Sequence, residues 1–239
     1  MPAPTREEPL GTTFPGDPWT EHGPNWVGHL SHSHQPHLRI YDYAQGGASI
    51  SGLATQIRRK FLARHAKSVR WSADDSLFVL WIGINDLAET ANPVQPIKIL
   101  FQLMNELYEA GARNFLLLDC PPIHRTPSSD PESGPNSDRF EDWNRLLFMQ
   151  ARFFVAKHQD YTSARSSSSS QSNTPETSPV TTPSGVGVQG DTSIFVFSSW
   201  STFMSILDYP DAYGFSEDDV DEVQGSIWLV FFLVRVTVV

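Results

Sequence analysis

The sequence predicts an α/β fold: a three-layer α/β/α sandwich with a mostly parallel sheet. Short apolar runs alternate along the chain with longer stretches of helical periodicity, the runs are continuous, and two of them end at glycines. Continuous apolar runs are expected of parallel strands covered on both faces, and strand–helix alternation builds such a sheet. A chain of 239 residues with 39% hydrophobic residues is long enough to bury one core of this kind.

The first half of the chain supplies two strands and two helices. Residues 22–30 could form a helix, with Gly23 as its cap and Pro24 at its first position. Residues 38–44 are predicted as a strand that stops at Gly46-Gly47. Residues 53–66 carry apolar positions at helical spacing, and the run 77–82 is a second strand that ends at Gly83.

The second half repeats the pattern. Residues 93–110 predict the clearest helix, terminated by Gly111. Its apolar face carries Ile97, Leu100, Phe101, Met104, Leu107 and Tyr108. A strand at 115–118 and a helix at 140–157 follow. After a long polar tract, the chain predicts a strand at 194–197 and a helix at 200–207.

Two segments depart from this alternation. Residues 162–190 are rich in Ser, Thr, Pro and Gly, which predicts a disordered insertion in a surface loop. Residues 227–239 are nearly all apolar and too few for a membrane helix, so a strand is favoured over a membrane anchor. The composition predicts a buried strand or, if the segment is unpaired, an aggregation-prone tail. The predicted organisation is a Pro-rich segment 1–22, a core 23–161, the insertion 162–190, a core continuation 191–228 and an apolar tail 229–239.

Charge and cysteine content narrow the classes of function. The formal net charge of −10 and the pI near 5.1 disfavour nucleic acid and anionic membrane surfaces as partners. A single cysteine, Cys120, excludes an intrachain disulfide framework, and its position after an apolar run predicts a buried small residue instead of a reactive thiol. Residues 1–16 show no secretory signal pattern.

Two loops predicted at the carboxyl edge of the sheet could carry chemistry. Gly46-Gly47 follows the first strand, and Gly83 to Asp86 follows the second. In open parallel sheets, ligands bind in the crevice beyond this edge. A glycine N–H and an asparagine amide that converge there would form an oxyanion hole. Taken alone, each feature has a structural alternative: a turn at the glycines and a helix cap at Asn85-Asp86.

An ordered set of motifs changes the balance between these alternatives. The motifs are Gly23-Pro24-Asn25-Trp26-Val27, Tyr41 to Ser49, Trp81 to Asp86, Pro121 to Arg125, Trp143-Asn144 and Ile206 to Phe215. Together they resemble the fungal SGNH (GDSL-type) hydrolases, specifically the acetylesterases of carbohydrate esterase family 16. The resemblance runs from about Gly23 to Ile227. It implies an SGNH-like, flavodoxin-like sandwich and an ester hydrolase that acts on short acyl groups, acetyl on sugars above all.

The resemblance also implies roles for individual residues. Gly47 and Asn85 match the oxyanion-hole donors of the family. The family's nucleophile lies in a Gly-Asp-Ser block near the start of the chain, where this sequence has Gly16-Asp17-Pro18, and its Asp-x-x-His block has no counterpart after Trp228. We therefore expect a fold truncated at both ends and a polypeptide that is close to inactive. The alternatives are a non-catalytic carbohydrate- or partner-binding module and the product of an incorrect gene boundary.

The sequence also contains a serine and several histidines that could be catalytic or metal-binding residues, but their patterns favour structural interpretations. Ser49 has no histidine placed to activate it, and His124 is interpreted as a loop-structuring or substrate-contact residue more than a general base. The histidines at positions 29, 32, 34 and 37 lack the spacing of a closed zinc site, so solvated loop histidines are favoured over metal ligands. No cofactor or metal is implied. The expected partner is a small-molecule or oligosaccharide ester, the expected state is a monomer, and the resemblance implies secretion.

Overall fold

The computed structural model describes residues 26–30, 38–68, 70–125, 136–168, 192–215 and 232–238. Within these ranges the chain forms a five-stranded sheet in the order β1-β5-β2-β3-β4. The strands are β1 Leu38–Asp42, β2 Ser76–Trp81, β3 Asn114–Leu118, β4 Ser193–Phe197 and β5 Phe232–Val238. The mostly parallel sheet is confirmed, since β2, β3 and β4 pair in parallel and β1 runs in the same direction.

Strand β1 ends two residues earlier than its apolar pattern predicts. The Asp42 carboxylate accepts a hydrogen bond from the Ala44 main-chain N–H at 2.8 Å. This local bond turns the chain out of the ladder, because an aspartate side chain offers the backbone an alternative to strand pairing.

Strand β5 lies between β1 and β2 and is antiparallel to both. Val236 pairs with Ile40 on one side and with Leu77 on the other. The predicted strand in the apolar run is therefore confirmed for residues 232–238. Its central position was not predicted, because strand composition gives neither partner nor direction.

Helices connect the parallel strands. The α-helices are α1 Trp26–His29, α2 Ile50–Thr55, α3 Ala66–Ser68, α4 Ile84–Glu89, α5 Val94–Glu109, α6 Ser137–Ser168 and α7 Ser199–Asp208. A π-helical segment, Gln56–His65, joins α2 to α3, and short 3-10 helices cover Ile123–Arg125 and Pro210–Tyr213. Residues 162–168, expected in the disordered insertion, are helical. The rest of that insertion lies outside the described residues.

The two faces of the sheet are covered unequally. Alternate residues of the central strands, such as Phe78 and Phe115, join one large core with α2, the π-helical segment, α5 and α6. The opposite side chains, such as Val79 and Ile40, pack in a smaller cluster with Val27 of α1. The three-layer arrangement is confirmed. The crossovers share one face because they all proceed in one direction across the sheet with the same handedness.

Both core helices of the large face fit their sequence patterns. The apolar stripe predicted on residues 93–110 is buried in α5, and Trp143, Leu147, Ala151 and Phe154 are buried on α6. In the part of the chain that the structure describes, no helix has the length and hydrophobicity needed to cross a bilayer.

Candidate active site at the carboxyl edge of the sheet

The loop after β1 is a tight turn with Gly47 at its third position. The Ala48 N–H donates to the Gln45 carbonyl at 3.2 Å, and Gly47 has a φ of 73°. A positive φ at this position is typical of a type II turn and favours glycine. Gly47 is exposed, whereas the following Ala48 is buried. The turn predicted at Gly46-Gly47 is therefore present, and its backbone lies open to solvent at the sheet edge.

The loop after β2 is constrained by packing. Gly83 is buried with a φ of 126°, and a Cβ there would lie 2.4 Å from two ring carbons of Trp143. Helix α4 starts immediately afterwards, with Gly83 as its N-cap and no side-chain capping bond. Asn85 and Asp86 lie inside the first turn, so the helix-cap interpretation of these two residues is wrong.

Two side chains of α4 bind the loop that follows β1. Asn85 Nδ2 donates to the Ala48 carbonyl oxygen at 2.9 Å. The Asp86 carboxylate accepts from the Ile50 N–H through both oxygens, at 3.1 and 3.2 Å. Strand β5 separates β1 from β2, which places these two strands roughly 10 Å apart. The two contacts therefore connect α4 to the segment that follows β1, across the first residues of β5.

Asp86 is a buried acidic residue of this edge, at 8% exposure. Burial raises its pKa, an effect that Glu89 reinforces and that the backbone N–H groups of Ile50 and Asp86 oppose. A buried carboxylate with two hydrogen bonds to one main-chain amide holds that amide in place. Asp86 was not assigned a role from the sequence, although it stands next to Asn85 in the Gly-x-Asn-Asp string.

Helix α6 contacts the segments that follow β2 and β3. Arg139 donates to the Leu87 carbonyl at 2.7 Å, and the Trp143 ring packs on Gly83. Asn144 exchanges two hydrogen bonds with the Cys120 main chain, at 2.8 and 2.9 Å. The segments that follow β2 and β3 are thus tied to one helix, which fixes the position of α4 and of Asn85.

Cys120 is fully buried, as its sequence position predicts. Burial raises the pKa of its thiol well above the usual value, and the nearby carboxylates of Asp119 and Asp86 act in the same direction. A thiol of this kind stays protonated and packs as a small apolar group.

His124 lies in the short helix after β3 and stacks on aromatic rings. Its ring centroid is 5.4 Å from that of Trp200 and 6.5 Å from that of Phe140. Burial lowers the pKa of His124, and Arg125 lowers it further while Glu141 opposes the shift. The stacking accounts for a loop-structuring role.

The other sequence candidates are not brought to this edge as a catalytic set. Ser49 Oγ lies 3.0 Å from Ser51 Oγ, and no histidine contacts it among the described residues. The predicted histidine cluster is not covered by the described residues. The side chain of His29 and the whole of residues 32, 34 and 37 lie outside them. Within the described ranges, no group of His, Cys, Asp or Glu residues is arranged to hold a metal ion.

A second buried acid, Asp119, organises the end of β3. Its carboxylate accepts from Ser198 Oγ at 2.7 Å, from Ser199 Oγ at 2.9 Å and from the Trp200 N–H at 2.8 Å. These bonds fix the start of α7 against the sheet. The sequence offered no signal for this network, because its members are about 80 residues apart.

Comparison with known proteins gives two relatives, and no family model matches the chain. An acetylesterase of Thermothelomyces thermophilus is 31% identical over 184 residues, which are 65% of this chain and 60% of that protein. A thermolabile hemolysin of Vibrio parahaemolyticus is 23% identical over 174 residues, 64% of this chain and 41% of that protein. The chain thus spans about half the length of the curated relatives that it matches. Together these similarities support a resemblance of this chain to hydrolases of the esterase kind.

Proposed function

We propose that the carboxyl edge of the sheet is the anion-stabilising part of an SGNH-type ester hydrolase site, with the Gly47 N–H and the Asn85 amide as its donors. The proposed substrates are short acyl esters, in particular acetyl groups on carbohydrate. The name of the Thermothelomyces relative supports the acetyl assignment. The ordered motifs from Gly23 to Phe215 support the carbohydrate esterase family 16 assignment.

The observation that carries the proposal is the bond between Asn85 Nδ2 and the Ala48 carbonyl. It brings the Asn85 carboxamide next to the loop that contains Gly47, although strand β2 and the helical segments from α2 to α3 separate the two residues in sequence. Nδ2 carries two hydrogens, so the bond to Ala48 leaves one for a substrate oxygen. A neutral amide at a fixed position suits an oxyanion that forms during acyl transfer.

The chemistry also needs a nucleophile and a base. The 239 residues contain no Gly-Asp-Ser string and no Asp-x-x-His string. A serine and its histidine act as a unit, and the loss of either costs on the order of a millionfold in turnover. We therefore propose that this polypeptide by itself does not hydrolyse esters at a useful rate.

Hydrolysis of p-nitrophenyl acetate by the purified chain tests the proposal, with binding of an acetylated xylo-oligosaccharide measured alongside. We expect no turnover above the uncatalysed rate. Turnover that Asn85→Ala abolishes would contradict the inactive assignment and indicate an unrecognised nucleophile. Binding of the acetylated oligosaccharide without turnover, weakened by Asn85→Ala, would favour the rival proposal of a non-catalytic carbohydrate-binding module. Asn105→Ala, at a half-buried position of α5 outside this edge, is the matched control.

A further inference from the structure

A second concave surface, which no residue of the Gly47–Asn85 edge lines, lies between helices α5 and α6. The cavity has a volume of about 600 Å³ and is lined from Val94 at one end to Lys157 at the other. The two helices run side by side in the same direction, as the contacts of Phe101 with Phe154 and of Asn105 with Lys157 require. The cavity is therefore an elongated groove. Its volume lies within the range typical of small-molecule sites.

The walls of the groove are largely apolar, and part of that apolar surface faces water. Phe153 is 63% exposed and Val94 is 51% exposed, whereas Ile97 and Phe101 form a buried floor. The transfer of exposed apolar surface out of water is favourable. An aliphatic chain laid along the groove would remove this surface from water.

The charged groups that line the groove are Lys98 and Lys157. Within the described residues neither lysine forms an ion pair, and Lys157 donates only to the neutral Asn105 carbonyl oxygen, at 3.4 Å. The Glu109 carboxylate, the nearest acid along this chain of contacts, already accepts from the Asn105 amide at 2.6 Å. Two lysines that form no ion pair among the described residues therefore lie at one groove, in a chain of net charge −10. Their charge complements an anion.

From this combination we propose that the α5–α6 groove binds an anionic amphiphile, a medium-chain fatty acid whose alkyl chain covers Phe153 and whose carboxylate pairs with Lys98 or Lys157. Neither the groove nor its ligand depends on the ester hydrolase proposal, since no residue of the Gly47–Asn85 edge lines it.

Titration calorimetry of the full chain with decanoate tests this inference, with decyltrimethylammonium as the cationic probe of equal chain length. We expect saturable binding of decanoate and weaker binding of the cation. Phe153→Ala should weaken decanoate binding about tenfold, because it removes most of one aromatic contact. Phe148→Ala is the matched control. Phe148 is 52% exposed on the same helix but does not line the groove, so its affinity should stay at the wild-type value.

The charge is tested by the double variant Lys98→Gln/Lys157→Gln. It should bind decanoate about fivefold more weakly, since each exposed ion pair contributes little, and should lose the preference over the cation. Lys67→Gln, at an exposed position of α3, is its control and should bind normally.

Four results would overturn the proposal: no saturable binding of decanoate, equal affinity for the two probes, equal losses in Phe148→Ala and Phe153→Ala, or loss of decanoate binding in Asn85→Ala. Asn85→Ala should leave decanoate binding unchanged. If that variant abolishes binding instead, the fatty acid binds at the carboxyl edge of the sheet. That result would refute the proposed binding in the groove and support a ligand site at the Gly47–Asn85 edge.

Discussion

Asn85 donates its side-chain amide to the main-chain carbonyl of Ala48 at 2.9 Å, across 37 residues of sequence. The bond links the first turn of α4 to the glycine turn after β1, over a sheet in which β5 separates the two parent strands. The neighbouring Asp86 repeats the link through the Ile50 N–H. The relative position of the two proposed donors therefore depends on two adjacent side chains.

Asp86→Ala should destabilise the fold and loosen this edge. The substitution leaves the buried Ile50 N–H without its acceptor, which costs about 1–3 kcal/mol in the free energy of unfolding. Urea denaturation measures the loss. Glu89→Ala, at an exposed position on the same short helix, should change stability by less than about 0.5 kcal/mol. Equal effects of the two substitutions would mean that the Asp86 contact has no structural weight.

Three glycine-to-alanine variants should rank by packing and backbone strain. Gly46→Ala meets open space at a permitted φ and should be nearly neutral. Gly47→Ala also meets open space, but its φ of 73° should cost about 1–2 kcal/mol. Gly83→Ala adds the collision with Trp143 to a φ of 126°, so it should lose more than about 3 kcal/mol or fail to fold. Thermal unfolding of the three variants gives the order, and a stable Gly83→Ala would contradict the packing.

Strand β5 should be required for a folded sheet. As an inner strand it pairs on both sides, so Val236→Pro removes a ladder N–H at the centre and should cost about 3 kcal/mol or more. Circular dichroism during thermal unfolding measures the effect. Val236→Ala keeps the N–H and is the control. A Val236→Pro variant as stable as Val236→Ala would show that β5 does not lie between β1 and β2.

Acidification should destabilise the protein through two histidines. Burial lowers the pKa of both His124 and His158. At His124, Arg125 lowers the pKa further and Glu141 opposes the shift. At His158, Lys157 and Arg113 lower the pKa further and Glu109 opposes the shift. A depressed folded-state pKa means that the unfolded chain binds more protons, so this contribution is complete above pH 6.5 and is lost as the pH falls through the folded-state pKa.

The double variant His124→Phe/His158→Phe tests that assignment. Phenylalanine keeps the ring stacking on Trp200 and on Tyr108 but does not titrate. Urea denaturation at pH 7.5 and pH 5.5, values on either side of the ordinary histidine pKa of about 6.5, should show a smaller decrease in stability for the variant than for the parent chain. An unchanged decrease would assign the acid sensitivity to other groups. Asp86 has the opposite sign: its raised pKa contributes stability at low pH that is lost as the pH rises through the folded-state value.

The sequence predicted those features that depend on local patterns. The apolar stripe of α5 and the apolar runs of β2 and β3 are patterns within single elements, and each predicts the burial of that element. The turn after β1 is predicted by two adjacent glycines. Features that depend on distant partners were not predictable in this way. These features are the pairing of β5 with β2, the Asp119 network and the hydrogen bonds from the Ile50 N–H to Asp86. Each joins residues that are at least 36 positions apart in sequence.

One enzymatic comparison tests the central claim most directly. The coding sequence is extended upstream until it supplies a Gly-Asp-Ser block and downstream until it supplies an Asp-x-x-His block. The kcat and kcat/KM for p-nitrophenyl acetate are then measured with and without Asn85→Ala. Asn105→Ala serves again as the control. The proposed oxyanion role predicts an active extended protein in which Asn85→Ala lowers kcat by about 100- to 1,000-fold. A loss no larger than that of Asn105→Ala, or an extended protein without esterase activity, would contradict it.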